Sequence, residues 1–97
     1  MSNIPSIICK DTLVPLTYNI RGNEVKSDFA ELFEEHKDVK EAFSEFLKKE
    51  KINKNIPMFT ISDTDYLGYQ KLDGTYFYVN LFGYHKNDKG EITFNTL

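Results

Sequence analysis

The spacing of the apolar residues changes along this chain and divides it into three regions. Over residues 4–20, short apolar runs are interrupted by Pro5 and Pro15, which a helix interior does not accept, so we expect two short strands joined by a turn near Asp11. Between residues 28 and 49, apolar positions recur every three or four residues, the period of one helix face. From residue 57 onward, runs rich in Tyr, Phe and Ile alternate with turn sequences, which is typical of strands.

The helical stripe is the strongest signal in the chain. It consists of Phe29, Leu32, Phe33, His36, Val39, Phe43, Phe46 and Leu47. Because the stripe keeps its phase throughout, we predict one main helix that begins at Ser27 or Asp28 and ends near Lys49. Asp38 could also start a second helix, so a break near Lys37 is the alternative. The predicted fold class is α+β, a single domain over residues 1–97, with one main helix packed on an antiparallel meander of three to four strands and an N-terminal pair of short strands.

Two turn sequences predict how the strands pair. Asp73-Gly74 favours a two-residue hairpin loop, which would place Tyr69 opposite Tyr78, and residues 87–90 favour a second loop. This register sorts the side chains onto two faces. The face assigned to the helix holds Leu72, Phe77, Val79, Leu81, Ile92 and Phe94, and the Tyr-rich face holds Leu67, Tyr69, Lys71, Tyr76, Tyr78, Asn80, Phe82, Tyr84 and Thr93.

The Tyr-rich face has two interpretations. We expect the N-terminal strands to cover its centre, around Tyr78 and Asn80, with Tyr69, Tyr76 and Tyr84 nearer the rim. The alternative is an open platform, because tyrosine combines a large contact area with a polar tip and is common at interface hot spots.

Composition narrows the functional classes. The chain is 40% hydrophobic and 28% charged with a net charge of −3, the profile of a folded globular protein. No apolar run approaches the ~20 residues of a membrane span and the N-terminus lacks a signal-peptide pattern, so we expect a cytoplasmic protein without membrane contact. Cys9 is the only cysteine and lies beside two isoleucines, which favours a buried thiol and excludes an internal disulfide.

The chain offers few groups for catalysis or metal binding. His36 lies in the middle of the apolar stripe, which favours a buried neutral imidazole, and His85 lies at a strand end. Asp63 and Asp65 flank a turn but match no calcium loop. We therefore predict no catalytic residue, no metal and no cofactor; a small enzyme or ligand-binding domain with a pocket around His36 is the alternative.

The helix also carries an acidic face opposite its apolar stripe. Six of the 15 acidic residues lie there: Glu31, Glu34, Glu35, Asp38, Glu41 and Glu45. Acids on the outside of a helix are ordinary solvated residues in most proteins. They could also dock on a basic surface, such as the substrate groove of a nucleic-acid enzyme.

These features predict a small protein-binding module that acts by covering a surface of its partner. It would be an inhibitor or an immunity or anti-defence type partner of a nucleic-acid enzyme, and it would bind through the acidic helix face or through Tyr69, Tyr76 and Tyr84. The partner is expected to be another protein with a basic surface. Nucleic acid is disfavoured because the chain is acidic and Arg21 is its only arginine, and weak single-strand binding is a further alternative. The sequence leaves the oligomeric state open.

Overall fold

The structure, a computed structural model, describes residues 8–61 and 64–97. The predictions for Pro5 and Asp63 lie outside the described residues. Two short hairpins are followed by two helices and four further strands, in the order β1 (Ile8–Cys9), β2 (Val14–Pro15), β3 (Thr17–Ile20), β4 (Asn23–Lys26), α1 (Asp28–Glu35), α2 (Lys37–Lys49), β5 (Phe59–Thr60), β6 (Tyr66–Gln70), β7 (Tyr76–Lys86) and β8 (Ile92–Thr96). The α+β class predicted from the sequence is confirmed.

The last four strands form one antiparallel sheet in the order β5-β6-β7-β8. The predicted meander of three to four strands is therefore present with four. β1 pairs with β2 and β3 pairs with β4, so the described N-terminal region contains two strand pairs rather than the single predicted pair.

A break at His36 divides the predicted helix into α1 and α2. The backbone of His36 has φ −133° and ψ 80°, outside the helical region, and the residue caps both helices. At the start of α1 the Ser27 hydroxyl oxygen accepts a hydrogen bond from the Ala30 N–H at 3.1 Å. The alternative with a break near Lys37 is therefore the one found. His36 is exposed, so the prediction of a buried core imidazole is wrong, because the break turns this position out of the stripe.

The core lies between the helices and one face of the sheet. Val39, Phe43 and Leu47 of α2 are buried at helical spacing and pack with the buried strand residues Leu67, Tyr69, Val79 and Leu81. The Phe43 ring lies 5.0 Å from the Phe94 ring and 6.2 Å from the Tyr69 ring, measured between centroids. The helix face assignment made from the stripe is thus confirmed for α2.

The first hairpin packs on the same side of the sheet as the helices. Val14 is fully buried in the main core, and the Tyr69 hydroxyl donates a hydrogen bond to the carbonyl oxygen of Thr12 at 3.1 Å. Cys9 is a buried free thiol, as predicted. The expectation that the N-terminal strands cover the opposite, Tyr-rich face is wrong for the described strands β1 and β2.

The β6–β7 hairpin has a three-residue loop instead of the predicted two-residue loop. The Lys71 N–H donates to the Thr75 carbonyl at 2.7 Å, and the Gly74 N–H donates to the Lys71 carbonyl at 2.9 Å. Gly74 has φ +93°, the left-handed conformation that such loops require at their last position. The Asp73 carboxylate accepts the Thr75 N–H at 2.9 Å and stabilises this turn.

The longer loop shifts the strand register by one residue. Tyr69 pairs with Phe77, and Gly68 pairs with Tyr78. Since neighbouring residues of a strand point to opposite faces, the shift moves every side chain of β6 to the other face. Leu67 and Tyr69, assigned to the Tyr-rich face, are buried in the core, and the prediction that Tyr69 opposes Tyr78 is wrong.

A large β-bulge in β7 explains why this strand is apolar at both odd and even positions. Asn80 pairs with Asn95 and His85 pairs with Thr93, so residues 81–84 lie opposite Phe94 alone. Leu81 is fully buried, and the adjacent Phe82 stacks on Phe29 of α1 with ring centroids 5.1 Å apart. The bulge turns Phe82 and Tyr84 towards the helices, so the prediction that both lie on the Tyr-rich face is wrong. The ring centroid of Tyr84 lies 6.2 Å from that of His36.

Candidate protein-binding surfaces

The break at His36 distributes the predicted acidic residues over two helices. Glu31, Glu34 and Glu35 lie on α1, whereas Asp38, Glu41 and Glu45 lie on α2, and all six side chains are exposed. They therefore do not form the single continuous stripe that one unbroken helix would present.

Lysine side chains pair with some of these acids. Lys26 Nζ lies 2.9 Å from a Glu34 carboxylate oxygen, and Lys86 Nζ lies 2.8 Å from an Asp38 carboxylate oxygen. The hydrogen bond from Lys86 lowers the pKa of Asp38 below its usual range, and the same bond raises the pKa of Lys86. Exposed pairs of this kind add little to stability, but they reduce the negative charge that the helix face presents.

A groove runs between the α1–α2 face and the N-terminal hairpins. Its volume is about 950 Å³, and its lining includes the lysines Lys26, Lys37 and Lys40 and the acids Asp11, Glu34, Glu41 and Glu45. Both signs of charge alternate around this groove, so a uniformly basic partner gains no consistent attraction there. His36 is exposed and does not line the groove, and the proposed pocket around it finds no support here.

The face of the sheet that points away from the helices has a different composition. Leu67, Tyr69, Phe77 and Val79 are in or against the core, so the residues between them point outward. We call this surface the outer face; it consists of Phe59, Tyr66, Gly68, Gln70, Tyr76, Tyr78, Asn80, Gly83, His85, Thr93 and Asn95. None of these residues is Asp, Glu, Lys or Arg, although 28% of the chain is charged.

Three rings form a cluster on the outer face, across β5, β6 and the start of β7. The Phe59 ring lies 6.0 Å from the Tyr76 ring and 5.8 Å from the Tyr78 ring between centroids, and both pairs are close to perpendicular. Phe59 covers Gly68, because a Cβ atom at Gly68 would overlap the Phe59 ring. Tyr76 is 56% exposed, Phe59 is 38% exposed and Tyr78 is partly buried. The cluster is thus both packed and open to solvent.

The structure separates the three tyrosines that the sequence placed together. Tyr76 lies on the outer face and is exposed. Tyr69 is 0% exposed, and burial raises the pKa of its hydroxyl, so the expectation that it lies at an accessible rim is wrong. Tyr84 is partly buried on the helix side beside His36, away from the outer face.

Sequence reasoning missed Phe59 and placed Tyr78 too deep. β5 is only two residues long, too short for a period-two pattern to be recognised. The available signal was Gly68, since a glycine inside a strand often lies under a large side chain from the neighbouring strand.

No group of three or more His, Cys, Asp or Glu side chains in residues 8–61 and 64–97 is arranged to hold a metal ion. Neither helix of that part of the chain is long and apolar enough to cross a membrane.

Comparisons with protein-family models, with curated proteins and with solved structures gave no significant match. The proposal for its function therefore depends on the composition and packing of its surfaces.

Proposed function

We propose that this protein is a small protein-binding module, not an enzyme, and that it covers a surface of its partner with the outer face. The observation that carries the proposal is the absence of charged residues from the outer face together with its cluster of Phe59, Tyr76 and Tyr78. Cores of protein interfaces are depleted in charged residues and enriched in aromatic ones.

The packing of the cluster also suits binding. Phe59 contacts both tyrosine rings and rests on Gly68, so the three rings are held in place before a partner arrives. A prearranged surface loses less side-chain entropy on association. Near the cluster, Gln70 Nε2 donates to the Gly74 carbonyl and Asn80 Oδ1 accepts from the Gly83 N–H, both at 3.0 Å, and the other polar atoms of these amides could bond to a partner.

The outer face does not favour nucleic acid. Proteins that stack bases on aromatic rings also need a groove of Lys or Arg that follows the phosphates. The outer face contains neither residue, so we keep single-strand binding as the weaker alternative.

The exposed acids lie on the helices, across the sheet from the outer face, and we propose that they influence the choice of partner through their charge. Glu31, Glu35 and Glu41 would favour the approach of a partner with a net basic surface, as in an inhibitor or an immunity or anti-defence type partner of a nucleic-acid enzyme. A cytoplasmic location is part of this proposal.

The test is affinity capture from the native host followed by mass spectrometry. Tyr76→Lys places a charge in the aromatic cluster of the outer face and should abolish capture of the partner seen with the wild type. Leu72→Lys is the matched control, because Leu72 is 66% exposed but lies in the hairpin loop outside the outer face, and capture should persist.

The opposite result would assign binding to the helices. If charge reversal at Glu34, Asp38 and Glu41 abolishes capture while Tyr76→Lys leaves it unchanged, the outer face is not the contact. Thermal melts of each variant would establish that the fold is retained.

A further inference from the structure

The two edges of the four-stranded sheet differ. β5, at one edge, has two residues, whereas β8, at the other edge, has five. Strand edges carry unpaired N–H and C=O groups, and very short edge strands are one way in which proteins prevent unwanted pairing. The β5 edge is protected in this way and the β8 edge is not.

The backbone of β8 presents unused groups on its open side. The Leu97 N–H donates to the Tyr78 carbonyl at 3.0 Å, so Leu97 and, by alternation, Asn95 direct their backbone groups towards β7. The backbone groups of Phe94 and Thr96 then point the other way. In the part of the chain that the structure describes, no strand pairs with β8 on that side.

The sequence of β8 lacks the usual devices that block an edge. Residues 92–97 read ITFNTL and contain no charged residue and no proline. Thr93, Asn95 and Thr96 are exposed to solvent. Charged residues and prolines are the common means of keeping such strands apart.

We propose that two copies of this chain pair through β8, antiparallel about a twofold axis at Phe94. This register places Ile92 opposite Thr96 of the second copy, Thr93 opposite Asn95, and the two Phe94 residues opposite each other. On the outer face, the Thr93 hydroxyl lies opposite the Asn95 amide of the second copy. Each copy has a net charge of −3, but none of the paired residues of β8 is charged, so the pairing brings no like charges together. This self-match is the reason for choosing a second copy over a strand from another protein.

The pairing leaves each core intact. Phe94 stays packed against Phe43 and Phe46 of its own copy, with ring centroids 5.0 and 5.4 Å apart, so the contact forms through backbone groups. The axis runs perpendicular to the sheet, and both outer faces therefore lie on the same side. The dimer would present its two outer faces side by side. The pairing through β8 does not depend on the function proposed for the outer face.

The first test is sedimentation velocity of the full chain over a wide concentration range, with two double variants. Thr93→Glu with Asn95→Glu places two Glu–Glu pairs across the axis and should give a monomer. Thr93→Lys with Asn95→Glu changes the same positions but creates two Lys–Glu pairs, and should restore the dimer. A wild type that is monomeric at every concentration would overturn the proposal, as would two double variants that associate to the same extent.

The second test uses the wild type alone, in case a variant fails to fold. Amide hydrogen exchange followed by NMR should show that protection of Phe94 and Thr96 rises with protein concentration. Asn95, whose N–H points towards β7, is the internal control and should be protected at all concentrations. Exchange at Phe94 and Thr96 that does not depend on concentration would exclude pairing through this edge.

Discussion

The one-residue register of the β6–β7 hairpin decides which tyrosine stabilises the fold. Tyr69 is 0% exposed and lies between Phe43 and Phe77, with ring centroids 6.2 and 5.9 Å away. Tyr69→Ala should cost about 4 kcal/mol, because removal of a buried aromatic side chain typically costs about 3–5 kcal/mol and the Thr12 carbonyl also loses its donor. Tyr78 is partly buried, and its ring packs against that of Phe59. Tyr78→Ala should therefore lower the free energy of unfolding by about 1 kcal/mol.

Equilibrium unfolding in urea, followed by circular dichroism, would measure both changes. A domain of this size has a stability of roughly 5–15 kcal/mol, so Tyr69→Ala could leave too little folded protein for a good baseline. Tyr69→Phe is the milder companion: it removes only the hydroxyl and should cost about 1–2 kcal/mol, whereas Tyr78→Phe should cost close to nothing. A larger loss for Tyr78→Ala than for Tyr69→Ala would refute the observed register and favour the two-residue loop.

Three further predictions concern the core, the outer face and the surface charges. Phe43→Ala should lower the free energy of unfolding by about 3–5 kcal/mol in urea melts, and a loss below about 1 kcal/mol would contradict its place in the core. Gly68→Ala should destabilise by roughly 1–3 kcal/mol because the new Cβ meets the Phe59 ring, and adding Phe59→Ala should recover part of that loss; independent, additive effects would contradict the contact. Lys86→Ala should raise the pKa of Asp38 in an NMR titration. Since that pKa is lowered in the folded state, the pair stabilises the protein above the unfolded-state pKa of Asp38, and this contribution is lost as the pH falls through the folded-state value.

The fold class and the α2 core could be predicted because their signals are local. Val39, Phe43 and Leu47 recur at helical spacing, and this period alone assigns them to one buried face. The break at His36 was predicted only as the alternative, because a single non-helical residue leaves the phase of the apolar stripe almost unchanged. Tertiary contacts, such as the stacking of Phe29 on Phe82, have no local signal in the sequence.

The candidate surface was harder to predict because it depends on register. Asp73-Gly74 fits a loop of two or of three residues, and the two loops differ only in which residue pairs first. A register shift of one residue exchanges the two faces of β6 and moves Tyr69 from the predicted surface to the core. The bulge around Gly83 has the same effect on Phe82, and neither shift can be read from alternation alone.

The two surfaces that the sequence singled out differ in what the fold itself explains. The acids of the helices are exposed, as is common on helix surfaces, and Glu34 and Asp38 already have lysine partners within the chain. The outer face is the opposite case, since an antiparallel sheet with one solvated face usually carries polar and charged residues there. Folding would tolerate Lys or Glu at the position of Tyr76, which is more than half exposed. The fold of the monomer alone does not account for the uncharged outer face, and the proposed binding of a protein surface would account for it.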